Sequence, residues 1–343
     1  MRKILIKFKS WEYWPIALVY FPIFFSWLLS SIKLRSFLFF TTVNPKIEMG
    51  GFAGESKMNI LRQIPKQYLP KTIFVEKNEK FETLETQITE KVIRFPCIAK
   101  PDIGERGLGV EICKDIESLK KYKKQAKFDF IVQDFIEYPM ELAILYYRYP
   151  NEKTGTISSI CEKDFLSVKG NGTDTIRNLM QKDNRAFLQL ERFEKEHPKF
   201  LDEILEKENE YILEHIGNHS RGTTFLDKNE YIDKELIEAF DKLSLQIPDL
   251  YFGRYDLKCK SLEDLKKLKN FSIIEINGVS AEPAHIYQPG YSFMKAEKEL
   301  LKQWKVIFEI SKMQINKGIK PMSFLCALRH IKAYRKKIIL HSN

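Results

Sequence analysis

Short apolar runs with a period near two are interspersed with longer segments whose apolar positions recur every three to four residues. After "SFLFFTTV", which reads as the start of a strand, the chain breaks at Asn44-Pro45 and Gly50-Gly51. Ser56 then stands where a helix cap belongs, ahead of a helix running from Lys57 to about Gln63. "PKTIFV" reads as a strand and "KFETLETQITEKV" as an amphipathic helix. Residues 95–113, "FPCIAKPDIGERGLGVEIC", read as a hairpin with a long tip. "FDFIVQDFIEYP" is a strand leading into a proline-broken connector, and "ELAILYYRY" is another strand. Residues 174–215 are dense in charge and read as helices with solvated faces. "ELIEAFDKLSLQI" is a helix. Two strands follow, "YFGRYDLKC" and "FSIIEIN", joined by the helical linker "SLEDLKKLKN", and the helix "FMKAEKELLKQWKVIFEIS" packs behind them. The order is mixed α+β, without repeats.

Residues 13–32, "YWPIALVYFPIFFSWLLSSI", carry no charge. As one helix they would reach about 30 Å, the thickness of a bilayer core. Trp11, Tyr13 and Trp14 sit at one end like an interfacial aromatic belt, and Lys33 and Arg35 close the other. Pro22 interrupts the stretch, and cations flank both ends, so charge gives no orientation. No small-residue cleavage site follows. Two readings stand side by side: membrane contact, embedded or in the interface, and a helix pair buried on the rest of the protein.

Composition narrows the class. At 343 residues and 44% hydrophobic, the chain can bury two or three packed domains. The five cysteines are scattered and form no CxxC pair, and the six histidines have no zinc-ligand spacing, which suits a reduced, cytosol-facing protein. The net charge of +10 suits nucleotides, anionic lipid or acidic substrates. No RNP-like or helix-turn-helix pattern is present, so nucleic acid is not expected as a partner.

The chemistry begins at Lys100, which ends an apolar strand just before Gly104, Gly107 and Gly109. Glycines let backbone N–H groups approach a bulky anion, and a lysine beside them supplies charge. The plainer alternative is a flexible surface hairpin. In "GRYDLKC", alternation puts Arg254, Asp256 and Lys258 on one face and Tyr255 and Leu257 on the other. In "IIEIN", Glu275 and Asn277 share a face, with Ile274 and Ile276 opposite. If the strands are neighbours, Asp256, Glu275 and Asn277 converge as hard oxygen donors suited to Mg²⁺. The alternative is a set of solvated ion pairs with Arg254 and Lys258.

These segments together resemble the ATP-grasp superfamily of carboxylate–amine ligases, with D-alanine–D-alanine ligase and the ATP-grasp part of cyanophycin synthetase as the nearest patterns. The resemblance covers residues from about 55 to 290. It implies an α+β ATP-grasp fold, with two sheet-containing subdomains clasping the nucleotide behind an apolar helical N-terminal segment. The expected divisions are 1–45 (apolar segment), 46–90 (linker with the Lys57 helix), 91–140 (glycine-hairpin subdomain), 141–310 (metal and substrate subdomain) and 311–343 (basic helical tail).

"AKPDIGERGLGV" is similar to the family's lysine and glycine-loop hairpin, which implies that Lys100 contacts phosphates while the loop from Gly104 through Gly107 to Gly109 closes over them. "ESKMNIL" implies a second phosphate contact at Lys57. "VQDFIEYPMEL" resembles the adenine hinge, with Gln133, Asp134, Phe135 and Ile136 at the base and Glu141 on the ribose. Asp256, Glu275 and Asn277 carry over as ligands of one or two Mg²⁺, or Mn²⁺, and Arg254 as the cation beside the transferred phosphate. "GNHSRGTTF" implies that Ser220 and Arg221 face phosphate or substrate. "NGVSAEPAH", which replaces the family's Ser-Pro-Gly turn, puts Ser280, Glu282 and His285 at the acceptor side. Only about fifty residues precede Lys57, where the ligases have a full Rossmann-like domain.

The implied reaction is ADP-forming and Mg-dependent: a carboxylate is activated as an acyl phosphate and joined to an amine or other nucleophile. Small-molecule or lipid-linked acids and amines are the expected substrates. The protein is expected in the cytoplasm, peripheral or anchored at an anionic membrane face. The alternatives are a non-catalytic nucleotide-binding module at the membrane, which the retained metal positions argue against, and a phosphotransferase on the same scaffold.

Overall fold

The computed structural model describes residues 1–105 and 107–342. Its first helices are α1 (Arg2–Lys9), α2 (Ile16–Val19) and α3 (Phe21–Leu34). The uncharged stretch 13–32 is therefore broken rather than one rod. Pro15 caps α2 and Pro22 lies in the first turn of α3, where a missing N–H costs little. The 14 residues of α3 reach about 21 Å. Among the described residues, no helix is long and apolar enough to cross a membrane.

"SFLFF" does not begin a strand. Phe39–Thr42 form a 3₁₀ turn with all four side chains buried, a pattern that alternation cannot produce. Trp11, Val19, Ile23, Phe39 and Phe40 share one core with Trp304 and Ile307. The short helix α4 (Lys57–Leu61) is capped by the Ser56 hydroxyl, which accepts from the Asn59 amide, as the sequence predicts.

The first sheet follows: β1 (Thr72–Val75), α5 (Phe81–Lys91), β2 (Cys97–Pro101), β3 (Glu111–Cys113), α6 (Ile116–Gln125) and β4 (Phe130–Asp134), with strand order β1-β4-β2-β3, all antiparallel. Leu84, Ile88, Leu119 and Tyr122 of α5 and α6 bury its face around Ile73, Ala99 and Val132.

A second sheet is assembled from β5 (Met140–Tyr147), β6 (Thr156–Asp164), β9 (Thr224–Asp227), β10 (Phe252–Cys259) and β11 (Phe271–Asn277), in the order β11-β10-β5-β6-β9. Between β6 and β9 the chain forms β7 (Ser167–Lys169), α7 (Ile176–Lys182), α8 (Asn184–Glu196) and β8 (Glu210–Ile212). The charge-dense region is thus helical only to Glu196. Beyond it, β8 pairs with β7. Gly170 makes this possible, because a Cβ there would lie 2.1 Å from the Glu206 carbonyl oxygen. The remaining helices are α9 (Lys234–Ser244), α10 (Leu262–Lys266), α11 (Phe293–Asn316) and α12 (Phe324–Ser342). Phe240 and Leu243 of α9 pack on Leu142, Ile144, Tyr255 and Leu257 of the second sheet.

Candidate active site

Between the two sheets lies a cleft of about 1720 Å³, walled on a third side by residues of the N-terminal segment. Strand register builds its floor. Asp256 pairs directly with Glu275 across β10 and β11, and Arg254 with Asn277. The register shifts between Asp256 and Leu257, so the inward–outward alternation slips by one residue. The core therefore takes Ile273 and Ile276, while Ile274, expected to face the core, lines the cleft. Its carbonyl accepts a hydrogen bond from Lys100 Nζ at 3.2 Å. The turn after Asn277 is pinned by Gly50-Gly51, whose carbonyls accept from the Val279 and Ser280 amides. A Cβ on Gly51 would stand 2.6 Å from Gly278 Cα, so the Gly-Gly pair fixes the position of the putting-together of these two turns.

The cations are interlocked with the carboxylates. Lys57 Nζ lies 3.0 Å from Glu275 Oε1 and donates to the Gly104 carbonyl at 2.6 Å. Arg254 Nε donates to Asp256 Oδ1 at 2.7 Å. Lys163 Nζ bridges Glu141 (3.0 Å) and Asp256 (3.1 Å). Burial pushes the Asp256 carboxyl up, but Arg254 and Lys163 outweigh it and hold it down at about 2. Burial likewise opposes ionisation of Glu275, and Lys57 with Lys100 keeps its pKa below the usual range. Lys57 is disfavoured by burial and rescued chiefly by Glu275, which leaves its pKa raised. Lys100 differs. Burial lowers its pKa to about 8; Glu275 opposes that shift and neighbouring Lys57 adds to it. On the floor, Lys57, Lys100, Lys163, Arg254 and Lys258 thus meet Glu55, Glu141, Asp256 and Glu275, five cations to four acids, whereas over the whole cleft acids and bases are nearly equal in number.

Of the residues singled out from sequence, the cleft brings together Lys57, Lys100, Gly104, Gly107, Glu141 and the hinge stretch Gln133, Asp134, Phe135 and Ile136. Arg254, Asp256, Glu275, Asn277, Ser220 and Ser280 line it as well. Gly107 and Gly109 both have φ of +69°, the left-handed conformation that favours glycine. Gly109 packs at the return of the hairpin, beside Pro101, and Arg106 lies outside the described residues. Arg221 does not line the cleft. It reaches the loop instead, donating from Nη2 to the Gly107 carbonyl at 3.0 Å and from Nη1 to Glu214 at 3.3 Å. Gln133 is buried and donates from its amide to Thr72 Oγ1.

His285 is a correction. It is 3% exposed, its Nδ1 lies 2.8 Å from Ser159 Oγ, and burial lowers its pKa, so it is a neutral core residue rather than an acceptor-side group.

Several cleft residues escaped the sequence reading. Lys163 lies on β6, a strand whose mixed "SSICEKD" pattern hid it. Glu55 lines the cleft with one carboxylate oxygen unpartnered, and burial raises its pKa. From the N-terminal wall, Glu12 holds Arg185 and His219, each at 2.9 Å. Tyr20 of the same wall donates to Glu282, the acceptor-side carboxylate expected from the sequence, which also accepts from Tyr287 at 2.5 Å. Only the apolar run of the N-terminal segment, placed ahead of a cleft-forming body, hinted at that wall.

The chemistry of the donor set fits a divalent cation in part. Asp256 and Glu275 are ionised and opposed, with Asn277 alongside, and all three offer hard oxygen. Among the described residues, no group of three or more His, Cys, Asp or Glu side chains is arranged to hold a metal unaided. An ion here fits only if phosphate and water oxygens complete its shell, as suits Mg²⁺.

A family model described as "RimK-like ATP-grasp domain" matches residues 55–240, more than half of the chain. Asp256, Glu275 and Asn277 fall beyond that match, so their assignment rests on this chain's own register. No curated protein matches. Among solved structures, the chain is similar to a bifunctional glutathione synthetase from Pasteurella multocida, with 16% identity over 72% of this chain and 36% of that one, TM-score 0.38. It is similar to VanG D-Ala:D-Ser ligase from Enterococcus faecalis, with 12% identity over 73% and 61%, TM-score 0.41. It is also similar to a D-alanine–D-alanine ligase from Bacillus anthracis complexed with ATP, with 15% identity over 76% and 68%, TM-score 0.42. The chain spans less than two thirds of the length of the first two, 36% and 61%.

Proposed function

The chain belongs to the RimK-like ATP-grasp family, and from that premise we propose that it is an ADP-forming ligase that joins a carboxylate to an amine. The observation that carries the reading is the meeting of Asp256 and Glu275, opposed across β10 and β11, with Lys57 and Lys100 from other elements in one cleft. That arrangement suits a polyphosphate: a floor on which cations outnumber acids, and two ionised carboxylates side by side.

In this reading the hinge stretch 133–136 takes adenine and Glu141 the ribose. Lys100, whose ammonium has no carboxylate paired with it among the described residues and donates to the Ile274 carbonyl, takes phosphate. Lys57 and Arg221 already hold the carbonyls of Gly104 and Gly107, so the loop is tethered from both sides over the place where phosphates would lie. Asp256, Glu275 and Asn277 would hold Mg²⁺, which supplies charge neutralisation to the polyphosphate when bound. The substrate carboxylate oxygen attacks the γ-phosphorus and ADP leaves, giving an acyl phosphate. The amine then attacks the acyl carbon, phosphate departs, and the amine proton passes to solvent. Arg254 faces the developing charge. Acid and amine sit between Arg254 and the group formed by Tyr20, Glu282 and Tyr287, with small molecules of the amino-acid class as the first candidates.

The test is a phosphate-release screen of carboxylic acids and amino acids in pairs, with mass spectrometry of the products. The ligase reading expects equal ADP and phosphate, and a product lighter than its two substrates by one water. ADP with a phosphorylated product would replace it with a phosphotransferase. Tight ATP binding without turnover on any pair would replace it with a nucleotide-binding module.

A further inference from the structure

Helix α3 is apolar apart from Ser26, Ser30, Ser31 and Lys33, yet only one side of it is covered. Ile23 is 1% exposed against the core. Phe21, Phe25, Leu29 and Ile32, spaced four, four and three residues apart, form a stripe that is 63%, 50%, 60% and 65% exposed. Exposed stripes of large apolar side chains of this kind mark a docking face.

Charge indicates the occupant. From residue 13 to residue 47 the chain holds no Asp or Glu, and after Glu309 it holds none to its end. Lys33 and Arg35 close α3, and both are exposed. Helix α12 repeats the composition. Phe324 and Leu325, each 67% exposed, lead into exposed Arg329, Lys332, Arg335, Lys336 and Lys337. Both elements border the cleft, since Trp27 of α3 and Phe324 of α12 line it together with Lys100 and Asp256. A second copy of the chain is a poor occupant. A twofold dimer burying this face would bring two acid-free basic helices together.

We propose that α3 and α12 seat this protein on the surface of an anionic lipid bilayer, with the cleft opening beside that surface. Helix α3 is too short to cross a bilayer core, so it lies in the interface, apolar stripe inward, while the cations of α12 meet the head groups. Neither signal alone gives stable attachment; the two together do. The proposal does not depend on the reaction assigned to the cleft.

The full chain is to be sedimented with vesicles of phosphatidylglycerol and phosphatidylcholine, and with phosphatidylcholine alone. Expected is pelleting with the first, loss of it at high salt, and quenching of tryptophan emission by brominated acyl chains. Phe21→Ser/Phe25→Ser/Leu29→Ser should weaken vesicle binding by about tenfold or more without altering the thermal melt or ATP binding, because all three positions are exposed. Lys332→Ser/Lys336→Ser/Lys337→Ser should flatten the salt dependence. The proposal is overturned if the wild-type chain ignores anionic vesicles, if it binds them equally well after the apolar substitutions, or if sedimentation velocity shows a dimer that those substitutions dissolve.

Discussion

The floor of the cleft and its N-terminal wall are built on opposite terms. On the floor, each of the three carboxylates Glu141, Asp256 and Glu275 has a cation within 3.1 Å. Among these floor groups the cations outnumber the carboxylates, and Lys100 has its pKa lowered to about 8, chiefly by burial, with its positive neighbour Lys57 adding to the shift and Glu275 opposing it. On the wall, side chains are matched only on the inside. Ile23 and Trp11 pack against α11, while Phe21 and Leu29 face outward. The difference teaches that incompleteness has a sign. A floor left cationic is complementary to an anion, whereas a wall left apolar is complementary to something that excludes water.

The sharpest way to break the comparison is on the floor. Glu275→Gln removes one ionised donor and the partner of Lys57, and turnover should fall about a hundredfold to a thousandfold, with ATP binding still measurable through the hinge. Near-normal turnover of this variant would leave the opposed carboxylates without a role. On the wall, Ile23→Ala should cost about 3 kcal/mol in a urea melt, whereas Phe25→Ser, one turn-face away, should cost less than about 0.5 kcal/mol. Equal costs would mean that the outer stripe is covered.

A subtler effect follows from Lys100. Its ammonium is present below its pKa of about 8 and lost above it. Nucleotide affinity should therefore be full near pH 7 and fall about tenfold by about pH 9, since binding a polyphosphate favours the charged form. Lys100→Arg, charged throughout, should flatten that fall. An effect on stability alone is expected at His285→Asn, which loses the Ser159 contact in the core. A cost of about 1 kcal/mol in stability, with an unchanged KM for ATP, would fit its buried position; a raised KM would return it to the cleft.

Much of the floor was readable because it follows from strand alternation. Arg254, Asp256 and Lys258 share a face with no apolar residue among them, and the Ser56 cap marks the start of the Lys57 helix. What was not readable was non-local. The register shift opposite Leu257 turned Ile274 into the cleft, and a bulge leaves no local mark in "FSIIEIN". Lys163 gave no signal in the sequence because its two carboxylate partners lie 22 and 93 residues away. "SFLFF" has strand composition, but Phe39 and Phe40 are both buried in one core with Trp304 of α11 while Phe37 is 60% exposed, an arrangement set by packing partners far away in sequence. His285 follows a turn that resembled an acceptor site, and only the fold shows that β6 covers it through Ser159.

The central claim is that Asp256, Glu275 and Asn277 face a metal-bound nucleotide held by Lys57 and Lys100. Its most direct test is calorimetric titration of ATP, with and without Mg²⁺, into the wild-type chain and Asp256→Asn. The account predicts that Mg²⁺ tightens ATP binding to the wild-type chain by about tenfold or more, and that Asp256→Asn binds ATP alone but gains little from the metal. No ATP binding by the wild-type chain, or a magnesium effect that survives intact in Asp256→Asn, would contradict it.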